Sequence, residues 1–294
     1  MKKIVEYLDE LGIIDAYNTE LLIQSLEKFY TSKKAASYYG KFYNEMSLRA
    51  DGVESSNIYT IINDDLDCSL VFTGGINYSI YKDQGEWIEG HKSLFGKSIL
   101  EIGCMNGLMT CFLASLFPDS NIVGIDICKS GIVNARKLAK RLNLNNVKFE
   151  YVNFQNYKGE FDTIYTSLFL HETFDLRIYE DLSTFSEKEQ IEYWANKLNP
   201  SLLKMSSLLK EAGNAICFER FYFNIAQAGL FKAFSDNKLI LNEEEFNVKA
   251  YIQEDGLATY LLRKDSNCNS DYYKQWEHTK KEYIIEDKTL SDHR

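Results

Sequence analysis

The spacing of apolar residues divides the chain into two regions of different pattern. Before residue 60, the segments VEYLDELGIIDA and ELLIQSLEKFY place apolar residues three and four positions apart, which is typical of amphipathic helices. After Gly96, short apolar runs rich in Ile, Val, Phe and Tyr alternate with helix-length segments. The first region therefore predicts a helical lobe, and the second predicts a parallel sheet with helices on both faces.

Six apolar runs are predicted to be strands: SILEIG, NIVGIDIC, VKFEYVN, FDTIYTSLFL, AICFERF and LATYLLRK. Helices are predicted between them at GLMTCFLASLF, GIVNARKLAKRL, EKEQIEYWANKL and SLLKMSSLLKE. Ser186 and Glu189 have the spacing of a capping box, and Pro200 is expected to break the helical pattern. Gly74 and Gly75 are expected to break the chain, and Gly96 to end the helix that follows.

These elements predict a doubly wound, Rossmann-like α/β fold of about seven mostly parallel strands, with an N-terminal helical lobe. Residues 238–264 hold no helix-length insert between two strand-like runs, so the sheet is expected to end in an antiparallel pair. We expect a lobe at residues 1–70, acting as a lid or dimerisation element, and a core at 71–264 with a helical insert at 173–199. Residues 265–294 are expected to form a peripheral tail.

Composition narrows the classes of partner. The formal net charge of −10 opposes binding to nucleic acid, and the basic run Lys129 to Arg141 has the spacing of a solvated helix face. The N-terminus lacks a secretory pattern and no apolar run is long enough to cross a bilayer, so a cytoplasmic protein without membrane association is expected. The six cysteines form no CxxC pair, which disfavours a metal site and predicts free thiols.

The stretch LEIGCMNG joins the first predicted sheet strand to the next helix. In an open parallel sheet, ligands bind at the carboxyl ends of the strands, and Gly103 lies at such an end. Gly103 lets a ligand approach the backbone, and Gly107 lets the helix pack near its strand. A dinucleotide motif would need glycines where Met105 and Leu108 stand, so a ligand with phosphates at this turn is disfavoured.

Polar and aromatic residues end the next two predicted strands. Asp126 can accept both hydroxyls of a ribose, Asn153 can bond an adenine edge, and Phe154 can pack on the adenine face. These residues predict a ligand that contains adenosine without phosphates. Two alternatives remain open: Asp126 could cap a helix, and Phe154 could belong to the core.

Residues from about 97 to 220 resemble the class I S-adenosylmethionine-dependent methyltransferases. The resemblance implies an enzyme whose cofactor is S-adenosylmethionine, bound at the methionine end by LEIGCMNG, at the ribose by Asp126 and at adenine by the pair at 153 and 154. The chain departs from the family at Met105, where a third glycine is usual, and at Asn153, where Asp is usual. The implied cofactor-binding residues are Glu101, Gly103, Cys104, Gly107, Asp126, Ile127, Asn153, Phe154 and Leu168.

The segment SLFLHETFD, at the end of the fourth predicted strand, carries the catalytic candidates His171 and Glu172. An imidazole with a pKa near 7 can take a proton from a hydroxyl or an amine, so His171 is the predicted base. His171 could instead pack at the strand end, and Glu172 could orient it, attract a cationic amine or begin a helix. Glu219 and Arg220, after the fifth strand, are further candidates that could simply pair with each other.

The leading functional hypothesis is methyl transfer to an oxygen or nitrogen of a small-molecule acceptor, because the lobe and the insert can cover a pocket. The first alternative keeps the cofactor and makes the acceptor a protein, a peptide or RNA. The second alternative is a binding protein that retains the fold without catalysis and docks a partner through its helical lobe. A homodimer formed through the N-terminal helices is a further expectation.

Overall fold

The protein is described by a computed structural model that covers residues 3–50, 57–173, 182–222, 224–250 and 256–284. Its chain divides into two compact units, Met1–Asn156 and Tyr157–Arg294. This division differs from the boundaries expected after residues 70 and 264, and the assignment of roles to those predicted domains stays a prediction. The two units are described in turn.

The first unit begins with helices, as the hydrophobic pattern predicts. A π-helical turn, Val71–Gly75, and a 3₁₀ turn, Lys92–Leu94, accompany them. The described helices of this region are α1 (Ile4–Glu10), α2 (Thr19–Glu27), α3 (Ser32–Ala50), α4 (Asn57–Ile62), α5 (Leu66–Leu70) and α6 (Tyr78–Gly90). Side chains of α2 to α5 form an apolar cluster that includes Leu26 and Phe72 and against which Met105 packs. Burial of these apolar faces stabilises helices too short to be stable alone.

The predicted chain break at Gly74 and Gly75 is wrong, because both residues lie inside the π-helical turn that continues α5. A Cβ at Gly74 would lie 2.8 Å from Cδ1 of Ile13, and one at Gly75 would lie 3.1 Å from Cβ of Ala16. The two glycines therefore permit close packing against the segment before α2. The predicted helix end at Gly96 is also wrong, since α6 ends at Gly90.

The first unit continues with three parallel strands in the order β3-β2-β1. Ile102 pairs with Ile125, so the residues that follow β1 and β2 emerge at the same edge of these strands. The two connecting helices pack on the strands and are largely buried on their apolar faces. The elements are β1 (Ser98–Ile102), α7 (Leu108–Leu116), β2 (Asn121–Asp126), α8 (Lys129–Arg141) and β3 (Val147–Tyr151).

The second unit holds the remaining described strands. β5 is parallel to β4, whereas β8 is antiparallel to β5, β6 and β7. The elements are β4 (Phe161–Ser167), α9 (Leu170–Thr173), α10 (Glu187–Leu208), β5 (Leu209–Phe221), α11 (Ala226–Asp236), β6 (Leu239–Leu241), β7 (Asn247–Ala250), β8 (Gly256–Lys264) and α12 (Tyr272–Thr279). The prediction of a mostly parallel α/β fold that ends in antiparallel strands is confirmed.

Two helical predictions in this unit need correction. Pro200 does not break the chain, because α10 runs through it as one helix. The burial of Leu202 and Met205 on the following turns offsets the cost of about 3 kcal/mol for an interior proline. Helix α11 was not predicted because it is buried almost all round and lacks an amphipathic stripe.

The capping box at the start of α10 is confirmed. The N–H of Glu189 donates to Oγ of Ser186 at 3.4 Å, and the N–H of Ser186 donates to Oε2 of Glu189 at 2.8 Å. Part of the expected insert, residues 174–181, and the end of the expected tail, residues 285–294, lie outside the described residues.

Candidate functional site

The loop between β1 and α7 is a tight reversal that folds onto the end of β2. Gly103, Met105 and Gly107 all have positive φ, at 76°, 47° and 75°. The N–H groups of Gly103 and Cys104 both donate to the carbonyl oxygen of Ile125, at 2.9 and 3.1 Å. Met105 thus occupies a left-handed conformation that favours glycine, which explains why a glycine is usual at this position of the resembled family.

Asp126 links this loop to the start of α8. Its Oδ2 accepts the N–H of Met105 at 2.8 Å, and its Oδ1 accepts the N–H of Cys128 at 2.7 Å. Burial raises the pKa of Asp126, and these backbone hydrogen bonds oppose the rise. The N-cap of α8 is Cys128, whose Sγ accepts the N–H of Gly131, so the side chain of Asp126 is not the cap of this helix.

The start of α7 is shaped by a side-chain hydrogen bond and by close packing at Gly107. The N–H of Leu108, the first in the helix, donates to Oδ1 of Asn106 at 3.2 Å. A Cβ at Gly107 would lie 2.8 Å from both Cβ of Ala135 and the ring of Phe149. Gly107 therefore permits the start of α7 to approach α8 and β3 closely, and its predicted role in packing α7 against β1 stays a prediction.

Two predicted cofactor residues lie in the interior below this loop. Glu101 is 3% exposed and accepts a hydrogen bond from Oγ1 of Thr110 at 2.5 Å. Burial raises the pKa of Glu101 to about 8, against the effect of the Thr110 hydrogen bond. Cys104 is also buried, and burial raises the pKa of its thiol well above the ordinary value.

The residues after β2 and β3 differ in their exposure. Ile127, next to Asp126, is 69% exposed, which leaves an apolar side chain beside the carboxylate. Phe154 is 7% exposed and lies in a 3₁₀ turn, Phe154–Asn156. Oδ1 of Asn153 accepts the N–H of Gln155 at 2.8 Å, so this amide also shapes the turn. Ile127 is therefore more accessible to a flat ring than Phe154 is.

The residues at the ends of β1 and β2 fit an adenosyl ligand. The oxygens of Asp126 accept backbone N–H groups, among them those of Met105 and Cys128, and a carboxylate has about four acceptor positions, so this carboxylate can still accept a hydroxyl. Gly103 carries no Cβ, and Ile127 presents an apolar surface next to the carboxylate. This combination suits a ribose and an attached base.

The second unit carries the predicted catalytic residues at the end of β4. Nδ1 of His171 lies 2.6 Å from Oε1 of Glu219, and its Nε2 lies 3.4 Å from Oε1 of Glu172. Glu219 is fully buried on β5 and also accepts the N–H groups of Leu170 and Arg220, at 2.5 and 2.9 Å. The carboxylate of Glu219 thus fixes the orientation of the imidazole ring and leaves Nε2 toward the more exposed Glu172.

The charge state of His171 differs from the expectation of a pKa near 7. Burial by itself lowers the pKa of His171, but the carboxylate of Glu219 and the hydrogen bonds to Glu172 and Glu219 outweigh it and raise the pKa to about 9. The imidazole is therefore mostly protonated at neutral pH and becomes a base as the pH rises toward 9.

The sequence indicates Glu219 and Arg220 as further candidates that could pair with each other, but it does not identify the partner of Glu219. The structure instead joins Glu219 to His171, which lies 48 positions away, because Ser167 at the end of β4 pairs with Phe218 on β5. Leu168, a predicted cofactor residue, has a positive φ of 51° and donates its N–H to the carbonyl oxygen of Phe218 at 2.8 Å. Only the pairing of β4 with β5 could have indicated the contact between histidine and glutamate.

Two other features bear on the predicted partners. Within the described residues, no group of three or more His, Cys, Asp or Glu side chains is arranged to hold a metal ion. Among the helices that the structure describes, none combines the length and the apolar character that a membrane crossing requires.

The chain is similar in sequence to known methyltransferases. Residues 95–282 match the family described as a methyltransferase domain. A tRNA (guanine-N(7)-)-methyltransferase of Cytophaga hutchinsonii is 35% identical over 86 residues, which are 29% of this chain and 38% of the relative. A ribosomal RNA small subunit methyltransferase G of Flavobacterium psychrophilum is 36% identical over 69 residues, which are 24% of this chain and 33% of the relative. The chain thus matches little more than a third of the length of these curated relatives.

Among solved structures, StiE O-MT residues 961–1257 superimposes with a TM-score of 0.51 at 11% identity, covering 68% of this chain and 81% of that chain. At this identity the similarity bears on the fold alone, and it agrees with the mostly parallel α/β architecture.

Proposed function

This chain belongs to the methyltransferase-domain family, and we propose that it transfers a methyl group from S-adenosylmethionine to an oxygen or nitrogen of a small-molecule acceptor. The family match covers well over half of the chain. It confirms the resemblance drawn from LEIGCMNG, and with it the prediction of an enzyme domain with S-adenosylmethionine as cofactor. The acceptor and the roles of individual residues are the subject of the proposal.

On the cofactor side, Asp126 is proposed to accept the ribose hydroxyls and Ile127 to pack on the adenine. Gly103 and the backbone around Cys104 are proposed to contact the methionine end, where the absence of a Cβ at Gly103 permits close approach. Asn153 and Phe154 complete the adenine side, and Glu101 supports the loop from below. When bound, S-adenosylmethionine supplies a methyl group already activated by its sulfonium.

On the acceptor side, His171 is proposed to take the proton from the attacking hydroxyl or amine. The observation that carries this proposal is the 2.6 Å contact of Nδ1 with the buried Glu219, which fixes the ring so that Nε2 faces the partly exposed Glu172. Glu172, 3.4 Å from Nε2, can attract a cationic amine or orient a hydroxyl at the same position. Leu168 is proposed to contact the cofactor through the loop that leads to His171.

A second candidate acceptor is RNA, and two observations favour it. The curated relatives described above are named for tRNA and ribosomal RNA methylation. In addition, a surface cleft of about 600 Å³ between α8 and β3 is lined by Arg136, Lys140 and Lys148, although Glu150 lies there as well. The net charge of −10 weighs against this candidate. Cytoplasmic location and dimerisation through the N-terminal helices stay predictions.

The experiment that tests the proposal measures transfer of a labelled methyl group from S-adenosylmethionine to two fractions of one cell extract. One fraction contains small molecules, and the other contains RNA freed of protein. The proposal expects label in the small-molecule fraction, lost by a factor of about 10² to 10⁴ in His171→Asn and kept in His278→Asn. Label confined to RNA and removed by ribonuclease would establish the second candidate and refute the first.

A further inference from the structure

Four buried polar side chains form a continuous hydrogen-bonded network within the first unit. Asn63, Ser69, Asn106 and Asn134 are each 2% exposed or less. Nδ2 of Asn106 donates to Oγ and to the carbonyl oxygen of Ser69, at 2.9 and 3.2 Å. Oγ of Ser69 donates to Oδ1 of Asn63 at 2.8 Å, and Nδ2 of Asn134 donates to the carbonyl oxygen of Asn63 at 3.2 Å.

This network joins the N-terminal helices to the loops after β1 and β2, which carry proposed cofactor residues. Asn106 lies in the loop after β1, and its Oδ1 accepts the N–H of Leu108. Nδ2 of Asn63 donates to the carbonyl oxygen of Tyr59 at 2.9 Å and approaches Sγ of Cys128 at 3.8 Å. Cys128 in turn donates its N–H to Asp126. One set of buried amides thus connects α4 and α5 with the loop at residues 103–107 and with the residue that follows Ile127.

The contact is reinforced by apolar packing at Met105. Its side chain packs against the apolar cluster formed by α2 to α5, while its N–H donates to Asp126. A glycine at this position would satisfy the positive φ but would make no contact with the helices. The side chain of Met105 therefore attaches the cofactor loop to the N-terminal helices, although its left-handed backbone conformation is unfavourable for a residue other than glycine.

Buried amides of this kind specify a geometry more than they add stability. A satisfied buried hydrogen bond adds little net stability, whereas a buried donor or acceptor left without a partner is costly, so a closed network tolerates few arrangements of its members. We propose that Asn63, Ser69 and Asn106 are positioning residues, which hold the loop at 103–107 and Asp126 in the geometry that binds S-adenosylmethionine. The inference rests on the proposed function, because it names how that same site is shaped.

Coupling of this kind is reciprocal. If α4 and α5 fix the loop for the cofactor, the cofactor must in turn stabilise α4 and α5 by the same free energy. Bound S-adenosylmethionine is therefore expected to slow amide hydrogen exchange in residues 57–70, even though the proposed cofactor residues all lie after residue 100.

The test compares Asn106→Ala and Ser69→Ala with Asn146→Ala as the matched control. Asn146 is also an amide that bonds main-chain carbonyls, those of Ala114, Phe117 and Ser120, but it precedes β3 at the opposite ends of the strands. We expect the Kd for S-adenosylmethionine to rise at least tenfold in Asn106→Ala and about threefold in Ser69→Ala. In Asn146→Ala the Kd should stay within twofold of the wild-type value, even when this variant lowers the midpoint of thermal unfolding as much as the other two variants do.

The positioning role is refuted if folded Ser69→Ala and Asn106→Ala bind the cofactor as tightly as the wild type does. It is also refuted if the control variant Asn146→Ala weakens cofactor binding as much as they do. If the wild type binds no S-adenosylmethionine, the proposed function fails, and hydrogen exchange without ligand then decides the inference. In that case Ser69→Ala should speed exchange of the amides at 103–108 relative to wild type and Asn146→Ala, and unchanged exchange refutes the positioning role.

Discussion

Two buried glutamates at the ends of strands, one in each unit, have opposite surroundings. Glu101 on β1 is 3% exposed and its carboxylate meets the neutral hydroxyl of Thr110, so burial raises its pKa to about 8. Glu219 on β5 is 0% exposed and meets the imidazole of His171 together with two backbone N–H groups. A buried glutamate thus contacts a neutral hydroxyl in the first unit and a cationic imidazole in the second.

The comparison indicates different uses for the two acids. At neutral pH the protonated form of Glu101 adds little charge beneath the cofactor loop and acts as a structural support. Glu219 forms a pair whose removal would leave a buried imidazolium and two main-chain donors without an acceptor. Burial alone therefore does not identify a functional acid, whereas the charge of its partner does.

The largest expected effect follows from breaking the pair in the second unit. Glu219→Ala should lower the free energy of unfolding by about 3–5 kcal/mol at pH 7, because it removes the partner of His171 and leaves the N–H groups of Leu170 and Arg220 without this acceptor. Chemical denaturation monitored by circular dichroism measures this change. The double variant Glu219→Ala with His171→Ala should recover part of the loss, and a single variant as stable as the wild type would contradict the pairing.

An effect of opposite sign is expected in the first unit. An acid whose pKa is about 8 when folded and 4.5 when unfolded stabilises the fold fully below pH 4.5, and this contribution is lost as the pH rises through 8. Glu101→Gln removes the titration and should raise the free energy of unfolding at pH 7 by on the order of 3 kcal/mol. The difference from wild type should vanish near pH 4; a variant less stable than wild type at pH 7 would show that Glu101 is ionised in the folded protein.

The pH dependence of methyl transfer sharpens the account of the second unit. Because Glu219 and Glu172 raise the pKa of His171 to about 9, the fraction of neutral base should rise about fiftyfold from pH 7 to pH 9. The rate under single-turnover conditions should follow that rise. Glu219→Gln should move the midpoint toward the ordinary value of 6.5; an unmoved midpoint would show that another group titrates.

The residues of the two units also show which parts of the site a local sequence pattern can predict and which parts it cannot. The sequence predicts Gly103 and Asp126 as site residues because Gly103 directly follows β1 and Asp126 ends β2, and parallel strands bring their carboxyl ends to one edge. The pairing of His171 with Glu219 depends on the register of β4 against β5, which no local pattern contains. Met105 departs from the family pattern, but its attachment to the N-terminal helices depends on the packing of α2 to α5, which are distant from it in sequence.

The misplaced elements have similar causes. Pro200 by itself predicts the end of a helix, but burial of the surrounding residues keeps α10 intact through this position. A glycine pair can either interrupt a helix or permit close packing of one segment against another. The sequence favours the first for Gly74 and Gly75, whereas their contacts with Ile13 and Ala16 show that the second applies. Local propensity therefore predicted the strands well and the interruptions of helices poorly.

Binding of S-adenosylmethionine to the wild type and to Asp126→Ala, measured by calorimetry, tests the central claim most directly. The claim is that Asp126, held by the N–H groups of Met105 and Cys128, accepts the ribose hydroxyls. Loss of these hydrogen bonds should cost about 1.5–3 kcal/mol, so the Kd should rise about tenfold to a hundredfold while the variant remains folded. An unchanged Kd in a folded Asp126→Ala protein would contradict the account.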